Sequence, residues 1–234
     1  MHDPNMENII TRIKSLREDI SGTCLKSGRD IKDVRLIAVS KTVGIDRIKE
    51  AVDAGLDTFG ENYVQEALEK ITMLPPSVHW HFIGNIQKNK VRHIVQSFEL
   101  IHSVGSSDIA VEIDKRAEQK GHVQPVLFEI NVAGEATKSG FRPEQFFNAL
   151  QLLKTLKHLR PSGLMTMPPP GNSEAQLSNY FTTLRELRDK LLKQGVFGQS
   201  FKELSMGMSS DFKIAIKEGA TMIRIGTALF GPRG

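Results

Sequence analysis

Short apolar runs alternate with amphipathic segments along most of this 234-residue chain. Between most of the runs, apolar side chains recur at three- and four-residue steps, which is the spacing of a helix with one buried face. The clearest of these helical segments cover residues 145–159 and 179–195, and one further segment, residues 9–20, precedes the first run. The apolar runs lie at residues 34–39, 58–60, 80–83, 100–103, 126–132, 163–165, 203–206 and 222–225.

Strands that alternate with helices indicate a parallel sheet with right-handed crossovers. Eight such units in 234 residues favour an α/β fold of the closed (β/α)8 type, a TIM barrel, with one extra N-terminal helix. A doubly wound open sheet is the alternative, because the second and sixth runs are short. No segment is long enough to serve as a linker, so residues 1–234 are predicted to form a single domain. In a barrel, reactive groups lie at the carboxyl ends of the strands and phosphate is held after strands seven and eight.

The composition is that of an ordinary globular protein, with 39% hydrophobic and 25% charged residues and a net charge of +4. The most basic stretch, residues 87–93, has no interleaved aromatic residues, so we expect no nucleic-acid binding. Cys24 is the single cysteine, which excludes an internal disulfide and fits a reducing compartment. We find no secretion signal and no apolar stretch of the roughly 20 residues that span a bilayer. These features predict a cytoplasmic protein.

Lys41 stands at the end of the first apolar run. Because side chains alternate along a strand, Ile37, Val39 and Lys41 share one face. Desolvation beside two apolar side chains would favour the uncharged amine, which can attack a carbonyl carbon. The alternative is a lysine that has left the sheet and extends into water. The position of Lys41 in the sequence does not favour one interpretation over the other.

The last two runs end in small and hydroxyl-bearing residues. Arg224 alternates with Ile223 and Ile225, so it is expected to face the barrel interior, where a guanidinium needs a hydrogen-bonding partner. Gly226 and Thr227 follow it at the start of a predicted helix. After the seventh run, Ser205, Gly207 and Ser209 offer donors with little bulk, and Ser210 or Asp211 is a candidate helix cap. The two loops together indicate a phosphate site.

Two other strand ends carry polar side chains. Asn62 follows the second run, where it either orients a ligand oxygen or caps the next helix. His79 and His81 share a face of the third run, but no third ligand at a suitable spacing accompanies them. Packing or polar support is therefore a better interpretation of the histidine pair than a metal site.

The motifs taken together resemble one known family, the pyridoxal phosphate homeostasis proteins, which are relatives of the N-terminal barrel domain of alanine racemase. The resemblance extends in order over nearly the whole chain. The matching stretches are AVSKT (38–42), FGENYVQE (59–66), HFIGNIQKNK (81–90), KSG (138–140), GLMTM (163–167), LSMGMSSD (204–211) and RIGTALFG (224–231).

This resemblance implies a pyridoxal 5'-phosphate (PLP) site built from the residues singled out above. Lys41 would carry the cofactor as an aldimine, and Arg224 would face the pyridine nitrogen. Asn62 would lie near the ring oxygen, with Met165 packing beside it. The residues matched to the phosphate are Ser205, Gly226 and Thr227.

The resemblance also implies a function in intracellular vitamin B6 homeostasis, with the cofactor supplied to apo forms of PLP-dependent enzymes. A permanently protonated Arg224 would leave the pyridine nitrogen unprotonated and the ring a poor electron sink. The racemase has a second domain and a tyrosine base opposite its lysine. Here the sequence ends three residues after the last motif, and neither Tyr63 nor Tyr180 is a good substitute. We therefore expect no robust catalysis, and a monomer.

Three alternatives remain open. The first is a single-domain PLP-dependent amino-acid racemase in which Lys41 and either water or Tyr63 serve as the bases. The second is a lysine-dependent aldolase acting on a phosphorylated sugar, which would be colourless. The third is a role for the rim lysines Lys88, Lys90 and Lys138 in passing the aldehyde to partner enzymes, although exposed lysines are usually only solvated.

Overall fold

A computed structural model of the chain describes residues 8–135 and 139–231. Eight parallel strands pair in chain order, and the eighth pairs with the first to close a barrel. The predicted (β/α)8 fold is therefore confirmed, and the open-sheet alternative is wrong. The strands are β1 (Arg35–Val39), β2 (Thr58–Glu61), β3 (His79–Phe82), β4 (Leu100–Val104), β5 (Gln124–Glu129), β6 (Leu159–Met165), β7 (Glu203–Ser205) and β8 (Met222–Ile225).

Helices follow the strands and surround the barrel. None of the helices in the described ranges is both long and apolar enough to cross a membrane. Two 3-10 helices cover Ile31–Asp33 and Lys88–Lys90. The α-helices are α1 (Ile9–Lys26), α2 (Ile45–Asp53), α3 (Val64–Met73), α4 (Val91–Ile94), α5 (Ser107–Gln119), α6 (Pro143–Leu153), α7 (Glu174–Lys193), α8 (Phe212–Lys217) and α9 (Thr227–Phe230).

The predicted extra helix is α1, which precedes the first strand and packs against α2, α8 and α9. Its start is capped by Asn8, whose side chain accepts from the Ile10 N–H. The residues that gave the helical spacing are all buried: Ile9, Ile13, Leu16 and Ile20. Because α8 and α9 follow β7 and β8, α1 supports the part of the barrel where the phosphate site was predicted.

Apolar side chains form two layers. The outer layer lies between the strands and the helices and contains most of the buried residues. The second cluster joins side chains from strands on opposite sides of the barrel, so it fills the interior. Its members are Ile37, Leu100, Leu127, Met165 and Met222. Because side chains alternate along each strand, the strands contribute apolar side chains to both layers. A parallel sheet is buried on both faces, so both layers must be apolar.

Two strand boundaries differ from the prediction by more than two residues. β5 ends at Glu129, three residues before the apolar run does, because the chain leaves the sheet there and Ile130 bridges to Phe141 instead. β6 begins at Leu159, earlier than expected, because Arg160, Pro161 and Ser162 interrupt its apolar pattern without interrupting the strand.

Candidate cofactor site

A cavity of about 690 Å³ opens at the carboxyl ends of the strands. This is the face of the barrel where the fold predicts chemistry. Six of the seven residues assigned to a cofactor line it: Lys41, Asn62, Met165, Arg224, Gly226 and Thr227. The seventh, Ser205, does not.

Lys41 lies in a tight turn directly after β1. The Ser40 N–H donates to the Gly60 carbonyl at 3.1 Å, which extends the pairing with β2 past the end of the strand. Thr42 has a φ of 60°, in the left-handed region that β-branched residues rarely adopt. Its N–H donates to Glu66 Oε1 at 2.6 Å. The half-buried Lys41 side chain therefore has a fixed backbone neighbour on each side.

A buried charge cluster supports this turn. Lys70 Nζ donates to the Ser40 carbonyl at 2.7 Å, to Glu61 Oε1 at 2.7 Å and to Glu66 Oε1 at 2.6 Å. The Ser40 hydroxyl donates to the same Glu61 oxygen at 2.7 Å. Burial raises the pKa of Glu61, and the hydrogen bonds from Lys70 and Ser40 act in the opposite direction. The cluster joins α3 to the backbone that carries Lys41.

Asn62 presents an unsatisfied oxygen at the cavity. Its Oδ1 is buried and has no hydrogen-bond partner among the described residues, and such an atom costs free energy unless something donates to it. Its backbone is held closely by the end of β3, since a Cβ on Gly84 would lie 2.2 Å from the Asn62 carbonyl oxygen. Only glycine allows the two segments to approach this closely.

Arg224 extends towards the cavity from β8. Its neighbours Ile223 and Ile225 belong to the outer apolar layer, so side-chain alternation turns the guanidinium inward as predicted. Burial lowers the pKa of Arg224 to about 10, and the charges of Asp211 and Glu129 act in the opposite direction. The guanidinium is therefore charged at neutral pH and can donate but not accept hydrogen bonds.

Ser205 lies beneath the cavity wall and holds Arg224. Arg224 Nη1 donates to Ser205 Oγ at 2.6 Å, and Nη2 donates to the Thr166 carbonyl at 2.9 Å. Ser205 is fully buried, and its hydroxyl also contacts His102 Nδ1 at 2.8 Å. The predicted phosphate contact of Ser205 is therefore not supported by its position, because its hydroxyl already has two partners away from the cavity.

The loop after β7 turns sharply at Gly207. Its φ is +94°, and a Cβ there would lie 2.6 Å from Ala215 Cβ on α8, so the position requires glycine. The Gly207 carbonyl accepts from the Arg224 N–H at 2.9 Å, which joins this loop to β8. Asp211, one of the two candidate caps, occupies the N-cap position of α8, but its side chain makes no capping hydrogen bond and instead accepts from the Met208 N–H.

The loops after β7 and β8 form one wall of the cavity. Ser209 and Ser210 line it from the first loop, and Gly226 and Thr227 line it from the second. The two loops are joined where the Ala228 N–H donates to Ser209 Oγ at 3.4 Å. Small residues, hydroxyl groups and backbone N–H groups at this end of a barrel suit an anionic phosphate.

Glu129 lies at the end of β5, diametrically across the barrel from β1. It lines the same cavity as Lys41 and is only 5% exposed. Ser139 Oγ donates to Glu129 Oε1 at 2.9 Å. Burial raises the pKa of Glu129, whereas the hydrogen bond from Ser139 and the charge of Arg224 act to lower it. The cavity thus holds an amine and a carboxyl group on opposite walls.

The remaining side chains considered from the sequence lie elsewhere. Tyr63 is exposed and Tyr180 is half-buried on α7; neither lines the cavity. Lys88 is exposed, and Lys138 falls outside the described residues. No three His, Cys, Asp or Glu side chains in residues 8–135 and 139–231 are grouped to hold a metal ion.

Sequence reasoning missed three groups near the site, namely Lys70, His102 and Glu129. Lys70 looks like an ordinary charged position on an amphipathic helix, and no pattern marks it as buried. His102 and Glu129 had a signal that could have been used, because each is a polar residue within or ending an otherwise apolar strand, as Arg224 is.

The barrel and its cavity define a class of protein. Residues 25–234 match the family model described as "Alanine racemase, N-terminal domain". Alanine racemase from Clostridium difficile 630 superimposes with a TM-score of 0.75 at 17% identity, over 97% of this chain and 57% of that one. At this identity the likeness establishes the fold alone. The class is a barrel of the alanine racemase N-terminal type.

More similar proteins narrow this class. The pyridoxal phosphate homeostasis protein of Aquifex aeolicus is 42% identical over 227 residues, which is 97% of this chain and 99% of that protein. The structure of PipY from Synechococcus elongatus PCC7942 with PLP bound superimposes with a TM-score of 0.83 at 37% identity, over 95% of this chain and 100% of that one. The chain belongs to the family of pyridoxal phosphate homeostasis proteins, as its motifs predicted.

Proposed function

We propose that this chain, as a single domain of residues 1–234, binds PLP covalently on Lys41 and acts in vitamin B6 homeostasis. The observation that carries the proposal is the meeting of Lys41, Arg224 and the loops after β7 and β8 in one cavity. Each offers a group that complements one part of the cofactor: an amine for the aldehyde, a guanidinium for the pyridine nitrogen and small donors for the phosphate. The family relationship and the PLP-bound PipY structure support the same ligand.

The residues present fit this cofactor. The buried, unpartnered Oδ1 of Asn62 can accept from a hydroxyl on the ring. Ser209, Ser210, Gly226 and Thr227 replace Ser205 as the residues we assign to the phosphate, since these four line the wall and Ser205 does not. The bound cofactor would supply an aldehyde carbon for condensation with Lys41 Nζ, and the carbonyl oxygen would leave as water with the two protons lost by the amine.

We further propose that the bound cofactor is stored rather than used. Arg224 can only donate, so a pyridine nitrogen facing it stays an acceptor without a proton of its own. The ring is then a weak electron sink, and bond cleavage at an attached amino acid is disfavoured. A free aldehyde reacts with amines indiscriminately, so holding it as a monomer in the cytoplasm and releasing it to apo-enzymes is chemically useful.

The test is an absorption spectrum of the protein incubated with PLP, followed by borohydride reduction and peptide mass spectrometry. The wild-type chain is expected to be yellow and to carry the reduced adduct on Lys41. The Lys41→Ala variant should lose both the colour and the adduct, and Lys88→Ala, which changes an exposed rim lysine, should keep them. A colourless wild type, or an adduct on another lysine in the wild type, would refute the proposal and would reopen the aldolase alternative.

One observation favours a second candidate, a single-domain PLP-dependent racemase. Glu129 and Lys41 face the cavity from opposite walls, so the site has a second titratable group that neither tyrosine provides. If the pair acted as two bases, an amino acid incubated with the loaded protein would exchange its α-hydrogen with solvent deuterium, and Glu129→Gln would abolish that exchange. Absence of exchange across the common amino acids would leave the storage function.

A further inference from the structure

A row of buried hydrogen bonds runs from Arg224 across the barrel. Arg224 Nη1 donates to Ser205 Oγ at 2.6 Å. Ser205 Oγ lies 2.8 Å from His102 Nδ1, and His102 Nε2 lies 2.9 Å from His81 Nδ1. Ser205, His102 and His81, which we call the relay, are each at most 1% exposed. Together with Arg224, the relay connects four strands, β8, β7, β4 and β3.

Arg224 fixes the direction of every hydrogen bond in the relay. A guanidinium only donates, so Ser205 Oγ accepts from it, and the Ser205 proton is then available for His102 Nδ1. His102 must accept at Nδ1 and carry its proton on Nε2, from which it donates to His81 Nδ1. His81 in turn carries its proton on Nε2, a buried atom with no hydrogen-bond partner among the described residues. The opposite direction would leave Ser205 between two donors with no acceptor for its own proton.

Both histidines are uncharged in this arrangement. Burial is the main cause that lowers the pKa of His81, to about 3, and it also lowers the pKa of His102 well below its usual range. A charged imidazole would donate from both nitrogens and would break the row at Ser205 or at His81. The relay is therefore uncharged. It accepts a hydrogen bond from Arg224 and does not take its proton.

The relay also limits where the guanidinium can point. Arg224 donates to Ser205 Oγ and to the Thr166 carbonyl, and it forms no ion pair with a carboxylate of the described residues. Losing the serine acceptor would leave a buried charged donor unsatisfied, and such a group shifts to find another partner. The opposing charges of Asp211 and Glu129 act to raise the pKa of Arg224, so these two carboxyl groups are the candidates for a new partner.

We propose that Ser205, His102 and His81 are positioning residues that hold the Arg224 guanidinium against the pyridine nitrogen of the cofactor. The proposal rests on the proposed function, because it assumes PLP on Lys41. It assigns to Ser205 a role different from phosphate binding, and it gives a role to two buried histidines that do not line the cavity. In this arrangement the relay, acting through Arg224, keeps the pyridine nitrogen unprotonated.

The first experiment uses the protein without cofactor. Nitrogen-15 spectra of labelled histidine distinguish the two neutral tautomers. His81 and His102, assigned by comparison with His81→Phe and His102→Leu, are both expected to be neutral with the proton on Nε2. A proton on His102 Nδ1, or a charged His102 at neutral pH, would overturn the relay, because Ser205 could then not donate to it.

The second experiment follows the pyridine nitrogen of nitrogen-15-labelled PLP bound to the protein. Ser205→Ala and His102→Leu are expected to move its signal towards the protonated value and to weaken binding about tenfold. His102→Asn should keep the wild-type signal, since its Oδ1 takes the place of Nδ1 as the acceptor for Ser205. Thr58→Val, which removes a buried hydroxyl from β2 away from the relay, is the matched control.

The outcomes separate the two proposals. A merely structural role would lower the unfolding midpoint of Ser205→Ala and His102→Leu without moving the pyridine signal, and that result would overturn the relay alone. A wild-type chain that binds no PLP would contradict the proposed function and the relay proposal with it.

Discussion

Replacing Lys70 with methionine tests how the Lys41 turn is held. Methionine keeps most of the side-chain volume but removes the ammonium that donates to Ser40, Glu61 and Glu66. Glu61 is fully buried, so the variant leaves a carboxylate without its cation. Breaking a buried ion pair in this way typically costs about 3–5 kcal/mol of unfolding free energy. We expect a loss in this range near neutral pH.

The same variant should show a characteristic pH dependence. Burial already raises the pKa of Glu61, and Lys70 is among the groups that act to lower it, so removing Lys70 raises this pKa further. The folded variant then binds a proton at Glu61 more tightly than the unfolded chain does. Its destabilisation is therefore largest above the raised pKa and shrinks as the pH falls, because the neutral acid costs less to bury. The loss should be greater at about pH 8 than at about pH 5.

The assay is urea unfolding of the protein without cofactor, followed by the fluorescence of Trp80, the single tryptophan of the chain, which is buried. Lys49→Met, which changes an exposed lysine on α2, is the matched control and should be nearly neutral. Adding Glu61→Gln to Lys70→Met should restore part of the loss by removing the unpaired charge. A loss below about 1 kcal/mol, or an equal loss at both pH values, would refute a buried ion pair at this position.

Two further predictions concern backbone packing and acid stability. Gly84→Ala should weaken PLP binding about tenfold or more in an absorbance titration, because its Cβ would collide with the Asn62 carbonyl. Gly22→Ala is the control and should leave the affinity unchanged, since a Cβ there meets nothing within 4 Å. Equal PLP affinities for the Gly84→Ala variant and the wild type would count against the close approach. Although burial acts to raise the pKa of Glu218, hydrogen bonds from two α7 hydroxyls and from Arg185, together with the Arg185 charge, lower it overall. Glu218→Gln should therefore cost about 1 kcal/mol near neutral pH, and the cost should disappear as the pH falls through that lowered pKa; a pH-independent difference in unfolding free energy would contradict this.

Side-chain alternation made much of the fold and part of the site predictable. Period two predicted that Arg224, between two isoleucines, faces the barrel interior and that Lys41 shares a face with Ile37 and Val39, and the structure brings both to one cavity. The closed barrel followed from the number of strand–helix units. These features depend on the local order of residues, so the sequence predicts them without knowledge of tertiary contacts.

Depth within the barrel was not predictable in the same way. Ser205 lies on a strand end like the lining residues, but whether a strand-end hydroxyl reaches the cavity or lies beneath it depends on the stagger of neighbouring strands. Lys70 is buried because α3 brings it against Glu61 and Ser40, a tertiary contact that helical spacing does not encode. The sequence motifs therefore marked the region of the site better than the role of each residue in it.

The barrel closes where β8 pairs with β1, and Arg224 stands directly opposite Ile37 in that register. On the proposed function, the ligand is attached to the first strand through Lys41 and to the last two strands through their loops, so it lies across the seam between β1 and β8. A chain emerging from the ribosome cannot complete the site until β8 has been synthesised and has docked. Loading is then a post-translational event, and opening of the seam would separate the phosphate loops from Lys41, after which water must still hydrolyse the bond to Lys41 before the ligand can leave.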